Sequence, residues 1–437
     1  MATVVLNDKD KFLLPFENQD FSFEPKDFIK IRELAISRLK DLDFPTNKME
    51  DWKYTNVRSI SKSSFKPQNF VNLDTKKIES NFIPNLDAFR LVFINGIFSE
   101  KYSSTNGIAD ENIVFTNLND AKKNNTAILA EYYNRVAVDP SSFFVNLSNA
   151  YGQDGAFVQI LKNTKVSKAI HILHLIEGDD VCSMPRNVII SEKNSEANII
   201  ITYASLDAQN SFVNSVSEIF LMDGANLDLD IIQNENKSSA SHINYIQAKV
   251  AKDANLSVNT VPVSGSLIRN NLNIKLLGKG ANADLYAPIV INGDMHLDNQ
   301  TYVEHIEPNC TSNELYKSVV NDRATNVFNG KILVAQAAQK TNAFQSNANI
   351  ILTDDAKVNS KPQLEIYADD VKCSHGCTIG QFDEEALFYL QARGIRRSTA
   401  QKVLLDAFIG EVVDHISSES LQEYVRNLVQ QNFKNLN

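Results

Sequence analysis

The chain has 437 residues, 43% of them hydrophobic and 22% charged, and a formal net charge of −10. That composition suits a water-soluble protein with apolar material for roughly two to four domains or one long repeat domain. The acidic balance argues against a nucleic-acid scaffold, which needs a basic face for phosphate, and against anionic membranes. Four cysteines, Cys182, Cys310, Cys373 and Cys377, make no disulfide framework in so long a chain. The N-terminus lacks a signal-peptide pattern and no apolar run approaches a membrane span. The expected compartment is a reducing cytoplasm, where thiols stay free.

Residues 1–150 are predicted to form a mixed, mainly helical domain. Phe28, Ile31, Leu34, Ala35, Ile36 and Leu39 recur at near-helical spacing over Pro25–Leu42, and Pro45 marks the end. The only Trp follows, in Glu50-Asp51-Trp52-Lys53-Tyr54-Thr55. Arg90–Phe93 and Asn112–Phe115 are predicted as strands, and Ala121–Asp139 as one helix closed by Pro140.

From 151 to 372 the texture changes to short runs of alternating apolar and polar residues, bounded by Asn, Asp and Ser. Phe157–Leu161, Ile170–Leu175, Asn187–Ser191, Asn198–Thr202 and Asn226–Ile232 are such runs, and period two predicts strands. The dipeptide Ala-Asn opens a strand at Ala197, Ala225, Ala254 and Ala281. Strands near Ile243, Leu272 and Thr301 fall between at a similar interval. Two strands per unit of about 28 residues predict a β-solenoid, in which each coil buries its face on the next. A β-sandwich with coincidental spacing is the alternative.

Residues 373–437 are predicted as a helical domain of three helices. Asp383 is the N-cap of the first and Gly394 its left-handed stop. Ser398-Thr399-Ala400-Gln401 and Ser420-Leu421-Gln422-Glu423 match capping boxes for the other two. The block is expected to cap the solenoid end.

Nucleotide hydrolysis is not encoded: Gly278-Lys279-Gly280 and Gly330-Lys331-Ile332 lack the frame of a phosphate-binding loop, and no nucleophile elbow appears. Cys373, His375 and Cys377 alternate, so a strand would point all three to one face, as soft ligands for an incomplete metal site. Lys372 is placed to favour a thiolate. The alternative for Cys377 is a buried thiol at a strand end. His171 and His174, three apart on a strand, point to opposite faces. His296 and His305 are expected at surface or loop positions, and Cys182 and Cys310 as packing residues. Asp294, Asp298 and Glu304 admit a different class, a β-helix polysaccharide-active enzyme with paired carboxylates.

The run from Pro362 through Lys372-Cys373-Ser374-His375-Gly376, with Asp383–Leu390 and Arg393-Gly394-Ile395, resembles the signature of the SufD family of iron–sulfur cluster assembly proteins. His305–Asn309, Val327–Gly330, Ala338–Thr341 and Trp52–Thr55 are similar to that family too. The resemblance implies a right-handed parallel β-helix between helical terminal domains, without catalytic activity of its own. It implies pairing with SufB through the β-helices, and docking of the ATPase SufC on the C-terminal helices, here through Leu387, Phe388, Leu404 and Phe408. A transient iron–sulfur cluster is then built at the subunit interface, with His375 as ligand and Cys373 beside it. No cofactor is expected on the isolated chain, which is expected to be a homodimer; flavin binding is left open. SufB, the paralogue, carries a sulfur-receiving Cys after the Ala-Gln element, where this chain has Asn347, so SufD is preferred to a SufB-like primary scaffold.

Overall fold

The computed structural model describes residues 7–67 and 71–433. Its centre is a parallel β-solenoid of two ten-stranded sheets, with successive strands alternating between them. In the first sheet, Glu196–Ser205, Asn226–Asn234, Asn255–Ser264, Asn282–Ile291, Thr311–Val320, Asn342–Ile351 and Lys372–Gly380 follow one another, all parallel. Phe212–Leu221, Ser241–Val250, Leu267–Leu276, His296–His305, Thr325–Val334 and Lys357–Ile366 face them in the second. Alternation explains the layering. Leu227, Leu229, Ile246, Leu285 and Ile274 point inward and are 0–2% exposed, each contributing about 1.5–3 kcal/mol by leaving water.

The corners are built for close stacking. Ser195, Ala225, Ala254, Ala281, Cys310 and Thr341 each precede a strand of the first sheet, and all are fully buried. Cys310 is therefore a packing residue, its thiol 3.2 Å from the Gly278 carbonyl. Just before this column, Asn194, Gly224, Asp253, Gly280, Asn309 and Lys340 have positive φ. Each donates its N–H to a carbonyl of the following turn, as Asn194 does to Asp223 at 3.0 Å and Asp253 to Lys279 at 3.0 Å. Asn and Asp tolerate the left-handed corner better than most residues.

The sequence interval and the physical register differ at two places. Asn226 pairs with Glu196, so the equivalent of Ala225 is Ser195, and the Ala197-Asn198 dipeptide lies two residues past that corner position, within the strand. Likewise Leu272 pairs with Ile246 and not Ile243.

The solenoid also reaches beyond 151–372. Ala88–Ile94 pairs in parallel with Ala169–Ile176, and Lys372–Gly380 closes the first sheet. In place of one helix over Ala121–Asp139 there are two, Leu118–Asn124 and Thr126–Tyr132. Asn134 then takes a left-handed φ, and the backbone N–H groups of residues 134–137 converge on the buried carboxylate of Glu218. That carboxylate also takes the buried Arg186 at 2.7 Å. A polar anchor in the sheet overrides the helical pattern.

The helix Lys26–Asp41 starts behind Pro25 and buries Phe28, Arg32, Ala35 and Leu39 along one face. Arg32 is satisfied by Glu24, which also takes Lys122. An aromatic cluster of Phe12, Phe44, Phe143 and Phe144 seats this region on Phe212 of the second sheet. No helix among the described residues is long and apolar enough to cross a membrane.

Candidate functional site

The C-terminal helices, Glu384–Gln391, Arg397–Val413 and Glu419–Phe433, do not cap the solenoid. The latter two lie along its flank, with Leu405, Ile409, Val413, Leu421 and Val425 packed on Ile200, Ile232, Val261, Val290 and Val319 of the first sheet. Those sheet residues point outward, so an apolar outer face existed for the helices to cover. Neither capping box forms. The second helix has no side-chain cap at Arg396. Before the third, Ser418 accepts from Leu421 N–H at 3.4 Å while the Ser420 hydroxyl donates to the Asn85 carbonyl. Asp383 does cap the first helix, and Gly394 has φ +84°.

The last coil is thus open. Lys372–Gly380 is exposed at every position except Cys373, and Lys357–Ile366 is half-buried or exposed throughout. The three residues of the Cys-x-His-x-Cys run lie here, on the sheet and not in the helical domain. Cys373 pairs with Ala343, His375 with Gln345 and Cys377 with Asn347. Ala343, Gln345 and Asn347 point into the solenoid and are 0–2% exposed. Cys373, His375 and Cys377 therefore continue an interior column past the point where the protein covers it.

Their environments differ. Cys373 packs against the apolar core, and burial pushes its thiol up, so Lys372 does not make it a thiolate. His375 is exposed. Cys377 is exposed as well, contrary to a buried thiol; its Sγ is 4.0 Å from Asn347 Oδ1. Among the described residues, no three His, Cys, Asp or Glu side chains converge to hold a metal. Alternate residues on a strand stand about 7 Å apart, too far for three to share one ion unaided.

The floor beneath them was not foreseen from sequence. Gln345 stacks on Glu314, whose carboxylate takes the Thr301 hydroxyl at 2.6 Å. Burial pushes Glu314 up to about 7. Asn347 takes Ser360 at 2.8 Å and Asn349 at 2.8 Å. Gly330 makes room, since a Cβ there would lie 2.2 Å from Gln345 Nε2. The available signal was register: residues about 30 positions before His375 and Cys377 are polar at inward places.

On the helices, Leu387 is fully buried and is withdrawn from any partner surface. Phe388 is 73% exposed, and Tyr389 and Val403 are exposed as well. Leu404 is half-buried, and Phe408 lies against the sheet with Lys317 Nζ 4.7 Å above its ring.

The other candidates disperse. Asp298 is buried with Arg269, Asp294 pairs with Arg323 at 2.7 Å and Glu304 with Lys275 at 2.8 Å, so no carboxylate pair faces a substrate. His171 meets Arg90 and Thr202, whereas His174 stacks inside between Phe93 and Tyr203. Burial pushes both down to about 3. His305 is fully buried against Ser312, and His296 is half-buried against Thr55, so neither is a loop residue. Cys182 is buried.

Residues 174–408 match the family described as SUF system FeS cluster assembly, SufBD core domain, and residues 21–172 match the SufBD protein N-terminal region. An iron–sulfur cluster assembly SufBD family protein of Synechocystis is 32% identical over 96% of this chain and 95% of its own length. The iron–sulfur cluster assembly protein SufD of Escherichia coli is 29% identical over 89% of each chain. SufD of Bacillus subtilis is 22% identical over 94% of this chain and 95% of its own. With a β-solenoid between helical terminal regions and family matches along nearly its whole length, the chain belongs to the SufB/SufD family of iron–sulfur cluster assembly proteins, as a SufD-like member.

Proposed function

We propose that this chain is a non-catalytic, cytoplasmic scaffold subunit that pairs with SufB, carries the ATPase SufC on its C-terminal helices and presents His375 where a nascent iron–sulfur cluster is built. The observation that carries the reading is the open last coil. Two edge strands and an exposed imidazole stand at a solenoid end that the chain's own helices leave uncovered, and unpaired strand edges are templates for another chain. A second solenoid would continue both sheets and close the polar floor of Gln345 and Asn347 away from water.

In this reading the cluster is cargo. An imidazole at its edge binds iron less permanently than a full thiolate set, which suits building and release. Cys373, half-buried and protonated, supports the strand more than it ligates. SufC has a face to meet in Phe388, Tyr389 and Val403, with Leu404 at its border. These helices rest on the sheet flank through Leu405 and Ile409, so a pull by the ATPase reaches the strands directly.

The test is co-expression with SufB and SufC. His375→Ala should leave the three subunits copurifying and the thermal transition of this chain unchanged, because the side chain is exposed. Cluster content by absorbance should fall at least tenfold, and Cys373→Ala should do less. An intact complex with normal cluster content would end the ligand role.

A further inference from the structure

Under the Trp52 segment lies a cleft of about 510 Å³, bounded by residues 43–52, residues 139–145 and the outer face of the second sheet. That volume suits a small ligand or a short piece of chain. Its roof is pinned to its floor. Arg269 stands 3.8 Å from the Trp52 ring centroid and donates to the Asp51 carbonyl at 2.8 Å, and Lys361 pairs with Glu50.

The floor carries a line of unspent hydrogen-bonding groups. Asn273, Tyr302, Lys331 and Gln363 are register partners on successive coils. Among the described residues, the Asn273 and Gln363 amides and the Tyr302 hydroxyl have no hydrogen-bond partner, and Asn273 is engaged only through its carbonyl, by Gln247. Two residues before Lys331, Asn329 Oδ1 is buried without a partner. Three coil steps from Asn273 to Gln363 span about 14 Å, the length of roughly four extended residues.

Charge and packing select what can lie there. The three cations of the cleft are spent: Arg269 on Asp298, Lys331 on Glu365 and Lys361 on Glu50. Asp43, Asp51 and Asp139 on its walls are in no ion pair among the described residues. An anionic ligand is therefore repelled. The aromatic faces are engaged as well, since Trp52 packs against Arg269 and Phe144, and Lys331 Nζ is 5.7 Å over the Tyr302 ring. A sugar ring would have to displace these groups to stack. What remains is a row of amides, each both donor and acceptor, as a peptide group is.

We propose that this cleft holds an extended, non-acidic peptide segment of another protein. About four residues of it run across the coils, with their main chain read by Asn273, Tyr302, Asn329 and Gln363. The site is on the flank of the second sheet, whereas the C-terminal helices cover the first, and it depends on no part of the scaffold reading.

Trp52 is the only tryptophan of the chain, so its fluorescence reports the roof of the cleft. The purified full-length chain is titrated with three acetylated hexapeptide amides: alternating Ser and Ala, the same with two Arg, and the same with two Glu. The neutral and Arg peptides should saturate the signal with a Kd of roughly 1 mM or tighter. The Glu peptide should bind at least tenfold more weakly. Methylating the main-chain nitrogens of the neutral peptide should abolish its binding, because the amides of the floor then lose their donors. Asn273→Ala and Tyr302→Phe should each weaken binding at least threefold. No saturable change with any of the peptides, equal binding of the methylated one, or both variants binding like the parent would each overturn the site. Saturation by maltotriose or spermidine in place of the peptides would overturn it too. None of these readouts involves SufB, SufC or a cluster, so a negative result here leaves the copurification test standing, and the reverse also holds.

Discussion

Glu314 shows how a single side chain couples the interior to pH. Its carboxyl is fully buried, pushed up to about 7 by desolvation, and held by Thr301. The folded chain binds this proton more tightly than the unfolded chain does. The associated stability is complete below the ordinary value of 4.5 and is lost as pH rises through 7. Glu314→Gln keeps the acceptor and removes the charge. It should therefore gain on the parent as pH rises, by about 2 kcal/mol between pH 5.5 and 8.5. Urea unfolding at the two pH values checks this, and an equal offset at both would refute it. His171 and His174 act with the opposite sign. Burial holds both neutral down to about 3, so their contribution is lost as pH falls below about 6.5.

Among the elements, the corners fix the coil. Ala225, Ala254 and Ala281 are small because the turn above and the turn below meet over them, each fully buried. Ala254→Leu should cost about 1–3 kcal/mol through overpacking. The same change at Ala197, inside the strand, should cost less, because that position is not in the corner column. Comparing the two midpoints in denaturant separates register from composition, and equal losses would contradict the column. The solenoid was legible in sequence because alternation and a unit of about 28 residues are local signals. The misplaced Ala197 and Ile243 show the limit: a repeat of letters drifts by two or three residues without disturbing the chain, and only hydrogen bonding fixes the register. The strand Ala88–Ile94 escaped the predicted core boundary because its partner, Ala169–Ile176, lies far along the chain. The helix Arg397–Val413 announced an apolar face, but not which surface would receive it. Gln345 and Asn347 were not legible as interior residues, since polar residues in a strand ordinarily point to water.

At the level of the whole molecule, the two ends of the solenoid differ. The far end finishes in antiparallel strands, the two-residue Ile97–Phe98 beside Ala88–Ile94 and Ile113–Asn117 beside Ala156–Ile160. The near end finishes in parallel strands of ten and nine residues, and among the described residues no further strand pairs beyond them. Ile379 is 50% exposed there, above the buried Asn349. Ile379→Lys should leave stability within about 0.5 kcal/mol, as for an exposed position, yet place a charge where another solenoid must stack. The variant should run as a monomer by light scattering with an unchanged melting curve. Dimers at parental strength would rule out this end as the joint.

A coil with one free end has a valence of one. It can be completed once, by a copy of itself or by a different solenoid, and after that nothing is left to propagate. If the proposed docking uses this end, closed pairs form and filaments do not, although a stack of parallel strands has no built-in length. On the proposed pairing, SufB and a second copy of this chain would compete for a single vacancy. Whichever occupied it would exclude the other, so the ratio of the two chains, without any further signal, would set how much of this protein is held in reserve and how much is at work.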